Sequence, residues 1–329
     1  MINVSVIIST FKRTSETIKC LNFLKKSDGL NRKFVFEIVI VDSSPTNELK
    51  NELKIFDETF KIKYIYLKKQ TLPGKARNLA VKNTNNELII SLDSDIEFVP
   101  ETAWGLISFM KDHPYAAKAT GTSIFSSGDN KGKIDRPTKW DRIYNKYNTD
   151  FVEGIYGRYE IFYKTTFLNV GGYDELFEFC GEGTDMSIKM WRAGYPLAIS
   201  KEIIAYHNSD APESLRRSIP DKMAKMYLSL FLVAYKYDVS DVEESENFVN
   251  SYLERENAYG KTIEFHSIVS SAKSFEWVHK NYLNILKSKK NIPQKYKFKP
   301  FDVFSDKKLT NICLNNAKKA IKSSRKKVV

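Results

Sequence analysis

Residues 88–95 of this chain read Leu-Ile-Ile-Ser-Leu-Asp-Ser-Asp, an apolar run that ends in two aspartates two positions apart. The run is short and continuous, which is typical of a strand buried on both faces of a parallel sheet. Asp93 and Asp95 follow at the carboxyl end of that strand, where open α/β sheets bind their ligands. Carboxylate oxygens are preferred by hard cations such as Mg²⁺ and Mn²⁺. The stretch therefore predicts a buried strand that presents two acidic side chains to a cation and its ligand, and a surface turn with two aspartates is the alternative interpretation.

Short apolar runs and amphipathic stretches alternate along the chain on both sides of this strand. Helical spacing is clear at Ile18, Leu21 and Leu24, for example. The alternation predicts an α/β fold with a mostly parallel, Rossmann-like sheet and helices on both faces. We expect strands at residues 4–9, 37–42, 63–67, 88–92, 116–123, 157–163 and 197–207, and helices at residues 14–26, 48–60, 74–83, 100–112 and 186–193.

The pattern changes after residue 207. Met223, Met226 and Leu230 follow helical spacing, as do Ile268, Ala272 and other residues farther on. We therefore predict three regions, which are a domain over residues 1–210, a helical C-terminal extension over 211–290 and a tail over 291–329. Residues 126–139, which are polar and contain glycine, predict a mobile loop within the first domain.

The positive charge of the protein is concentrated at the end of the chain. The 329 residues carry a net charge of +12, and residues 287–329 alone hold 14 Lys and Arg against 2 Asp and Glu. Such a tail suits an anionic surface, for example lipid head groups, a polyanionic acceptor or nucleic acid. A solubilising terminus is the alternative interpretation.

Composition and missing patterns exclude several classes of protein. The chain is 42% hydrophobic and 28% charged, which excludes wholesale disorder and fibrous structure. Cys20, Cys180 and Cys313 are too few and too far apart for a disulfide framework or a zinc ribbon. The N-terminus reads as a first strand rather than a signal peptide, and the longest apolar stretch, residues 228–235, is far shorter than the ~20 residues of a membrane-spanning helix. We therefore expect a cytoplasmic protein, with peripheral binding to the inner membrane face compatible with the basic tail.

Six motifs, in this order, resemble an inverting glycosyltransferase of family 2, which has the GT-A fold. They are VSVIIST at residues 4–10, IVIVDSS at 38–44, KARNLA at 75–80, SLDSD at 91–95, GGYDE at 171–175 and GEGTDMSIKMWRAGY at 181–195. The resemblance covers about residues 1–210. It implies metal-dependent transfer of a sugar from a nucleoside-diphosphate donor, most often a UDP-sugar, to a hydroxyl of a glycan or lipid-linked acceptor. Bacterial surface polysaccharide synthesis is a typical setting.

The resemblance also implies where the nucleotide-sugar donor binds. Asp42 would accept a hydrogen bond from the base, most often uracil, and Asp93 would face the ribose. A turn-forming role for Asp42 and an exposed helix position for Arg77 are the structural alternatives. The full set of implied donor-binding residues is Thr10, Arg13, Asp42, Lys75, Arg77 and Asp93.

The metal ligand implied by the resemblance is Asp95, which would hold Mn²⁺ or Mg²⁺. His207 ends the last predicted strand, and a neutral imidazole there could serve as a further ligand. A histidine at a strand end is also commonly structural. Asp95 and His207 are therefore the two candidate metal ligands.

The candidate catalytic base is where the chain departs from the family pattern. Family members usually carry Glu-Asp where this chain has Glu182 and Gly183, and the aspartate commonly acts as the base. Inversion requires a carboxylate that takes the proton of the attacking acceptor hydroxyl. Glu182 and Asp185 both remain candidates, and Asp185 could instead be a first-turn acid of the following helix.

Three other functions compete with the transferase. Gly183 would fit a GT-A protein that binds nucleotide-sugar without turnover. The basic tail would fit a nucleic-acid-binding protein, although the charge-neutral body argues against one and no nucleic acid is expected. A nucleotidyltransferase shares the sheet and paired aspartates, but the glycine-rich loop typical of that class is missing after the first strand.

Overall fold

The computed structural model of the chain describes residues 1–135, 150–155, 157–177 and 181–210, together with residues 229, 232, 233, 236, 237, 284, 287, 288 and 290–293. Most of the predicted helical extension and nearly all of the predicted tail lie outside the described residues. The three-part division of the chain therefore stays a prediction.

The described part of the chain alternates strands and helices in its first half, as the sequence pattern predicts. Its strands are β1 Ile2–Thr10, β2 Phe34–Asp42, β3 Lys61–Tyr66, β4 Leu88–Asp93, β5 Ile96–Phe98, β6 Lys118–Phe125, β7 Ile134–Asp135, β8 Tyr159–Tyr163 and β9 Leu197–His207. Its helices are α1 Thr14–Lys25, α2 Leu49–Glu52, α3 Pro73–Lys82, α4 Thr102–Asp112, α5 Lys164–Asn169 and α6 Glu182–Arg192.

The strands form one sheet in the order β3-β2-β1-β4-β8-β6-β9-β5, with β7 paired to β6. Strands β3, β2, β1 and β4 are parallel, as expected. From β8 onward the sheet is mixed, because β8 runs antiparallel to both β4 and β6. Apolar periodicity reports burial but not strand direction, so the sequence pattern could not reveal this change.

The parallel half of the sheet is the centre of the core. Val6, Ile8 and Ile90 are fully buried, and each such side chain contributes ~1.5–3 kcal/mol to folding. Strand register then aligns the carboxyl ends, because Thr10 pairs with Asp42 and Ser9 pairs with Asp93. The core therefore fixes the edge at which the polar residues converge.

Two helices differ in extent from the sequence-based expectation. The single helix predicted over residues 48–60 is a short α2 followed by a 3₁₀ turn over Leu53–Phe56. Buried side chains three and four residues apart fit both geometries, so the pattern could not separate them. Helix α6 begins at Glu182 rather than at residue 186, after Gly181 in a left-handed conformation with φ of 93°. The sequence pattern does not predict this first turn, because Gly183 disfavours helix formation.

The loop predicted over residues 126–139 contains regular structure in its described part. Residues Ile134–Asp135 form β7, which pairs antiparallel with β6. Within the described ranges, no helix has both the length and the apolar character that crossing a bilayer requires.

Candidate functional site

Arg77 joins two acidic groups at the carboxyl edge of the sheet. It projects from α3, and its Nη2 donates to Oδ1 of Asp93, at the end of β4, over 2.6 Å. Its Nη1 donates to Oε1 of Glu182, at the start of α6, over 3.3 Å. The Arg77 side chain is 7% exposed. Burial raises the pKa of both Asp93 and Glu182, even though the Arg77 charge opposes the shift.

Asp95 lies beside this group and contacts two basic side chains. Arg13 forms an ion pair with its Oδ2, and Nε2 of His207 lies 3.7 Å from the same oxygen. Strand pairing explains the approach of the histidine, because His207 is the register partner of Ile96, the residue after Asp95. Burial raises the pKa of Asp95, but the contact with His207 and the charge of Arg13 outweigh it and lower that pKa to about 2.

The carboxylate of Asp135 contacts the other ring nitrogen of His207. Nδ1 of His207 lies 2.7 Å from Oδ2 of Asp135 in β7, and Nε of Arg158 lies 2.9 Å from that oxygen. Burial lowers the pKa of His207, but the contacts with Asp135 and Asp95 outweigh it and raise that pKa. A carboxylate on Nδ1 is the arrangement that orients a histidine so that Nε2 faces a ligand site.

Asp42 is buried at the end of β2 and is fixed by local hydrogen bonds. Its Oδ1 accepts from the backbone N–H of Ser44 over 2.9 Å and from the Ser44 hydroxyl over 2.5 Å. Its Oδ2 accepts from the hydroxyl of Tyr64 in β3 over 2.8 Å. Thr10, the register partner of Asp42, contacts the Thr17 hydroxyl over 3.0 Å. The carboxylate is therefore oriented by its own strand end and by β3.

Lys75 is the one predicted donor residue that the structure leaves apart from these clusters. Its side chain is 62% exposed, and its Nζ lies 3.8 Å from Oε2 of Glu175. A contact of this length between exposed groups contributes little to stability. Lys75 lies on the surface of α3, two residues before the buried Arg77.

A buried polar network contacts the Arg77 guanidinium through the Tyr173 ring. The Tyr173 ring centroid lies 5.7 Å from the Arg77 guanidinium carbon, and the Tyr173 hydroxyl donates to Glu160. The other oxygen of Glu160 lies 2.7 Å from Nζ of Lys118, and both of these side chains are at most 1% exposed. A paired network of this kind holds its members rigidly because each buried charge is matched.

Asp185, the second candidate base, has different contact partners from Glu182, although it lies only one turn farther along α6. Its side chain is fully buried, and Oδ1 lies 2.5 Å from Nζ of Lys236 and accepts from the Tyr237 hydroxyl over 2.8 Å. Oδ2 lies 3.3 Å from Nζ of Lys189. Burial raises the pKa of Asp185, but the charges of Lys236 and Lys189 outweigh it and lower that pKa.

The structure thus brings most of the predicted site residues to one edge of the sheet and adds others. Glu182, Arg77 and Asp93 form one cluster, and Asp95, Arg13 and His207 form the next, while the roles assigned to them stay predictions. The residues that sequence reasoning missed are Tyr64, Asp135, Glu160, Lys118 and Lys236. The only signal for Tyr64 was its place in a predicted strand beside Asp42, and Asp135 lay in a segment predicted to be a loop.

A divalent cation fits the residues at Asp95. Among the described residues, no group of three or more His, Cys, Asp or Glu side chains is arranged to hold an ion alone. Asp95 nevertheless has a buried Oδ1 that accepts no hydrogen bond from the described residues, and His207 presents Nε2 toward the same carboxylate. Two protein ligands of this type leave coordination positions for oxygens of a bound substrate.

The sheet order, together with an acidic cluster at its carboxyl edge, defines a GT-A domain. Residues 5–168, about half of the chain, match the family model described as Glycosyl transferase family 2. The chain therefore belongs to glycosyl transferase family 2.

Individual relatives agree with this family over part of their length. The poly(ribitol-phosphate) beta-N-acetylglucosaminyltransferase TarS of Staphylococcus aureus is 30% identical over 114 residues, which is 34% of this chain and 20% of TarS. An uncharacterized glycosyltransferase of Rickettsia conorii is 31% identical over 112 residues, which is 34% of this chain and 18% of that protein. The matched stretch thus spans about a fifth of these relatives.

Solved structures share the fold over most of the chain. S. aureus TarS 1-349 in complex with UDP-GlcNAc aligns with a TM-score of 0.57 at 19% identity, over 99% of this chain and 92% of that one. The mannosyltransferase PcManGT of Pyrobaculum calidifontis, in complex with GDP-Man and Mn²⁺, aligns with a TM-score of 0.54 at 13% identity, over 95% and 85%.

Proposed function

We propose that this protein is an inverting glycosyltransferase that moves a sugar from a UDP-sugar to a hydroxyl of a glycan or lipid-linked acceptor. The observation that carries the proposal is the Arg77 bridge, since it joins donor-side Asp93 to Glu182 at the carboxyl edge of the sheet. Family membership supports it, as does the fold shared with a TarS structure that holds UDP-GlcNAc.

The donor would lie along the carboxyl ends of β1, β2 and β4. Asp42 would receive the base, since its carboxylate is already fixed by Ser44 and Tyr64 and loses little freedom on binding. Asp93 would face the ribose. Arg77 and Arg13 are the buried or half-buried cations nearest to the expected diphosphate, while Lys75 would act from the rim.

Asp95 and His207 would hold Mn²⁺ or Mg²⁺. The Asp95 Oδ1, which accepts no hydrogen bond from the described residues, and the His207 ring, oriented by Asp135, are suited to a hard cation. Such an ion neutralises charge on a departing diphosphate. Arg13 also pairs with Asp95, so binding of the ion would require that this contact loosen and would free the guanidinium for the phosphates.

Glu182 would act as the base that takes the proton of the acceptor hydroxyl as the hydroxyl oxygen attacks the anomeric carbon. Its side chain is 16% exposed, and burial raises its pKa toward the range in which a carboxylate is an effective base. Asp185 is a weaker candidate, because both of its oxygens contact cations within the protein and its pKa is lowered. The Arg77 contact would hold the Glu182 carboxylate at the donor site.

The basic tail would bring the enzyme to an anionic surface. The 14 Lys and Arg of residues 287–329 suit attraction to an anionic membrane face, and each such residue near the surface adds about 1 kcal/mol of binding. A peripheral position on the inner face of the membrane would place the site near lipid-linked acceptors. No nucleic acid is expected as a partner.

Release of UDP from UDP-GlcNAc in the presence of Mn²⁺ tests turnover directly, because water can replace the unidentified acceptor. We expect slow release that depends on the ion and falls when Glu182 is replaced by Gln. If the protein binds UDP-GlcNAc but releases no UDP from it, the result would instead favour a nucleotide-sugar-binding protein without turnover. Gly183 in place of the usual aspartate is the specific reason to consider this alternative.

A further inference from the structure

A buried lysine of the C-terminal region contacts two nearby segments that lie more than 50 residues before it in the chain. Nζ of Lys236 lies 2.5 Å from Oδ2 of Asp174, which follows the glycine turn at residues 171–172, and 2.5 Å from Oδ1 of Asp185 in α6. The Lys236 side chain is 1% exposed. A single ammonium from the C-terminal region therefore connects the turn to the helix.

The surrounding contacts complete this buried cluster. Tyr237 donates to Asp185, and Ser288 contacts Asp174, so the C-terminal region supplies further partners for both carboxylates. Lys189 of α6 pairs with Asp185 and donates to the carbonyl oxygen of Gly172. Asp174 and Asp185 together balance Lys189 and Lys236, two charges against two. Burial lowers the pKa of Lys236, but the two aspartates outweigh it and raise that pKa, so the lysine is charged.

The same two elements also contact Arg77, through Glu182 and Tyr173. Glu182 lies one helical turn before Asp185 and contacts Arg77 over 3.3 Å. Tyr173 immediately precedes Asp174, and its ring faces the Arg77 guanidinium. A shift of either the Asp174 or the Asp185 carboxylate would therefore move a neighbouring residue that contacts Arg77.

We propose that Lys236 is a positioning residue, which sets the distance between α6 and the segment that follows the glycine turn at residues 171–172. It thereby keeps the Glu182 carboxylate in contact with Arg77. The role in turnover rests on the proposed function, because it takes Glu182 to be the base. The link between the turn and the helix does not depend on that function.

The test compares three variants of the 329-residue chain. Lys236→Met removes the ammonium and leaves two carboxylates against one lysine. Adding Asp174→Asn restores the balance of one against one, yet the link through Lys236 stays broken and the Lys189 contact with Gly172 remains in both variants. Lys164→Met is the matched control, since Lys164 is a partly buried lysine whose Nζ donates to the Thr84 carbonyl over 2.6 Å, away from this cluster.

Three quantities are measured for each variant: the melting temperature, the hydrogen exchange of peptides over residues 170–177 and 181–190, and the kinetics of UDP release from UDP-GlcNAc. In K236M we expect faster exchange in both peptides, a kcat reduced about 10- to 100-fold and a donor KM within about 2-fold of the wild type. In D174N/K236M we expect the melting temperature to recover while kcat stays low and exchange stays fast. K164M should retain wild-type exchange in both peptides.

Unchanged exchange in folded K236M would overturn the proposal. Recovery of exchange and kcat together with the melting temperature in D174N/K236M would also overturn it, because charge balance alone would then explain the cluster. A wild type that releases no UDP would count against the proposed function instead, and the exchange measurements would still decide whether Lys236 links the two elements.

Discussion

Replacement of Arg77 by Met should destabilise the protein in a pH-dependent way. The guanidinium contacts Asp93 over 2.6 Å and Glu182 over 3.3 Å, and the Arg77 side chain is 7% exposed. Met retains much of the apolar stem but removes the charge that both carboxylates share. Two largely buried carboxylates would then lack their common partner.

The size of the effect follows from the burial of these groups. Breaking a buried ion pair by removing one partner costs about 3–5 kcal/mol. The Asp93 and Glu182 side chains keep 24% and 16% exposure, so water screens part of the loss. We therefore expect the lower end of that range, about 3 kcal/mol, at pH 8.

The loss should shrink as the pH falls. Burial already raises the pKa of Asp93 and Glu182 in the folded protein, and removal of Arg77 removes the main opposing influence and raises both further. A carboxyl with a raised folded pKa costs stability when the pH is above that pKa. The cost disappears as the pH falls toward the unfolded values of about 4, because both states then bind the proton.

Urea unfolding at pH 8 and at pH 5.5 measures the loss of stability in Arg77→Met and its dependence on pH. Arg32, which is exposed, provides the control, and Arg32→Met should change the free energy of unfolding by no more than about 0.5 kcal/mol at either pH. A loss below about 1 kcal/mol for R77M, or a loss of equal size at both pH values, would refute the reasoning.

Three further predictions concern single contacts. Glu182→Gln should lower UDP release about 100-fold or more and leave the dissociation constant of UDP unchanged, as release assays and calorimetry would show. In the wild type, kcat/KM for UDP release should rise with pH through the raised pKa of Glu182. Tyr64→Phe should cost about 0.5–1.5 kcal/mol of stability in urea unfolding, because Asp42 loses one hydrogen bond. Asp135→Asn should weaken Mn²⁺ binding about 10-fold in an electron-paramagnetic-resonance titration, because His207 loses the carboxylate that orients it.

The parallel half of the fold and the candidate donor edge could be predicted because their signals are local. Each strand is a short apolar run, and its polar end directly follows it in sequence. Parallel register then brings Asp42 and Asp93 to the same edge without further information. The family motifs locate α3 and α6 around that edge.

The supporting contacts could not be predicted, because they join residues that are distant in sequence. Lys118 and Glu160 are charged residues within strands, and only the antiparallel pairing of β6 with β8 buries them together. Lys236 lies 51 residues after Asp185, with nothing in the sequence to connect them. Asp135 is placed by a two-residue strand, which is too short to leave a periodic pattern.

Calorimetric titration of UDP into the 329-residue protein, with Mn²⁺ and then with EDTA, tests the central claim most directly. The wild type should bind UDP only when the ion is present, in preference to GDP and dTDP, and Asp95→Ala should abolish this binding while the protein stays folded. Failure of the folded wild type to bind any of the three nucleoside diphosphates would contradict a nucleotide-sugar site at this edge of the sheet.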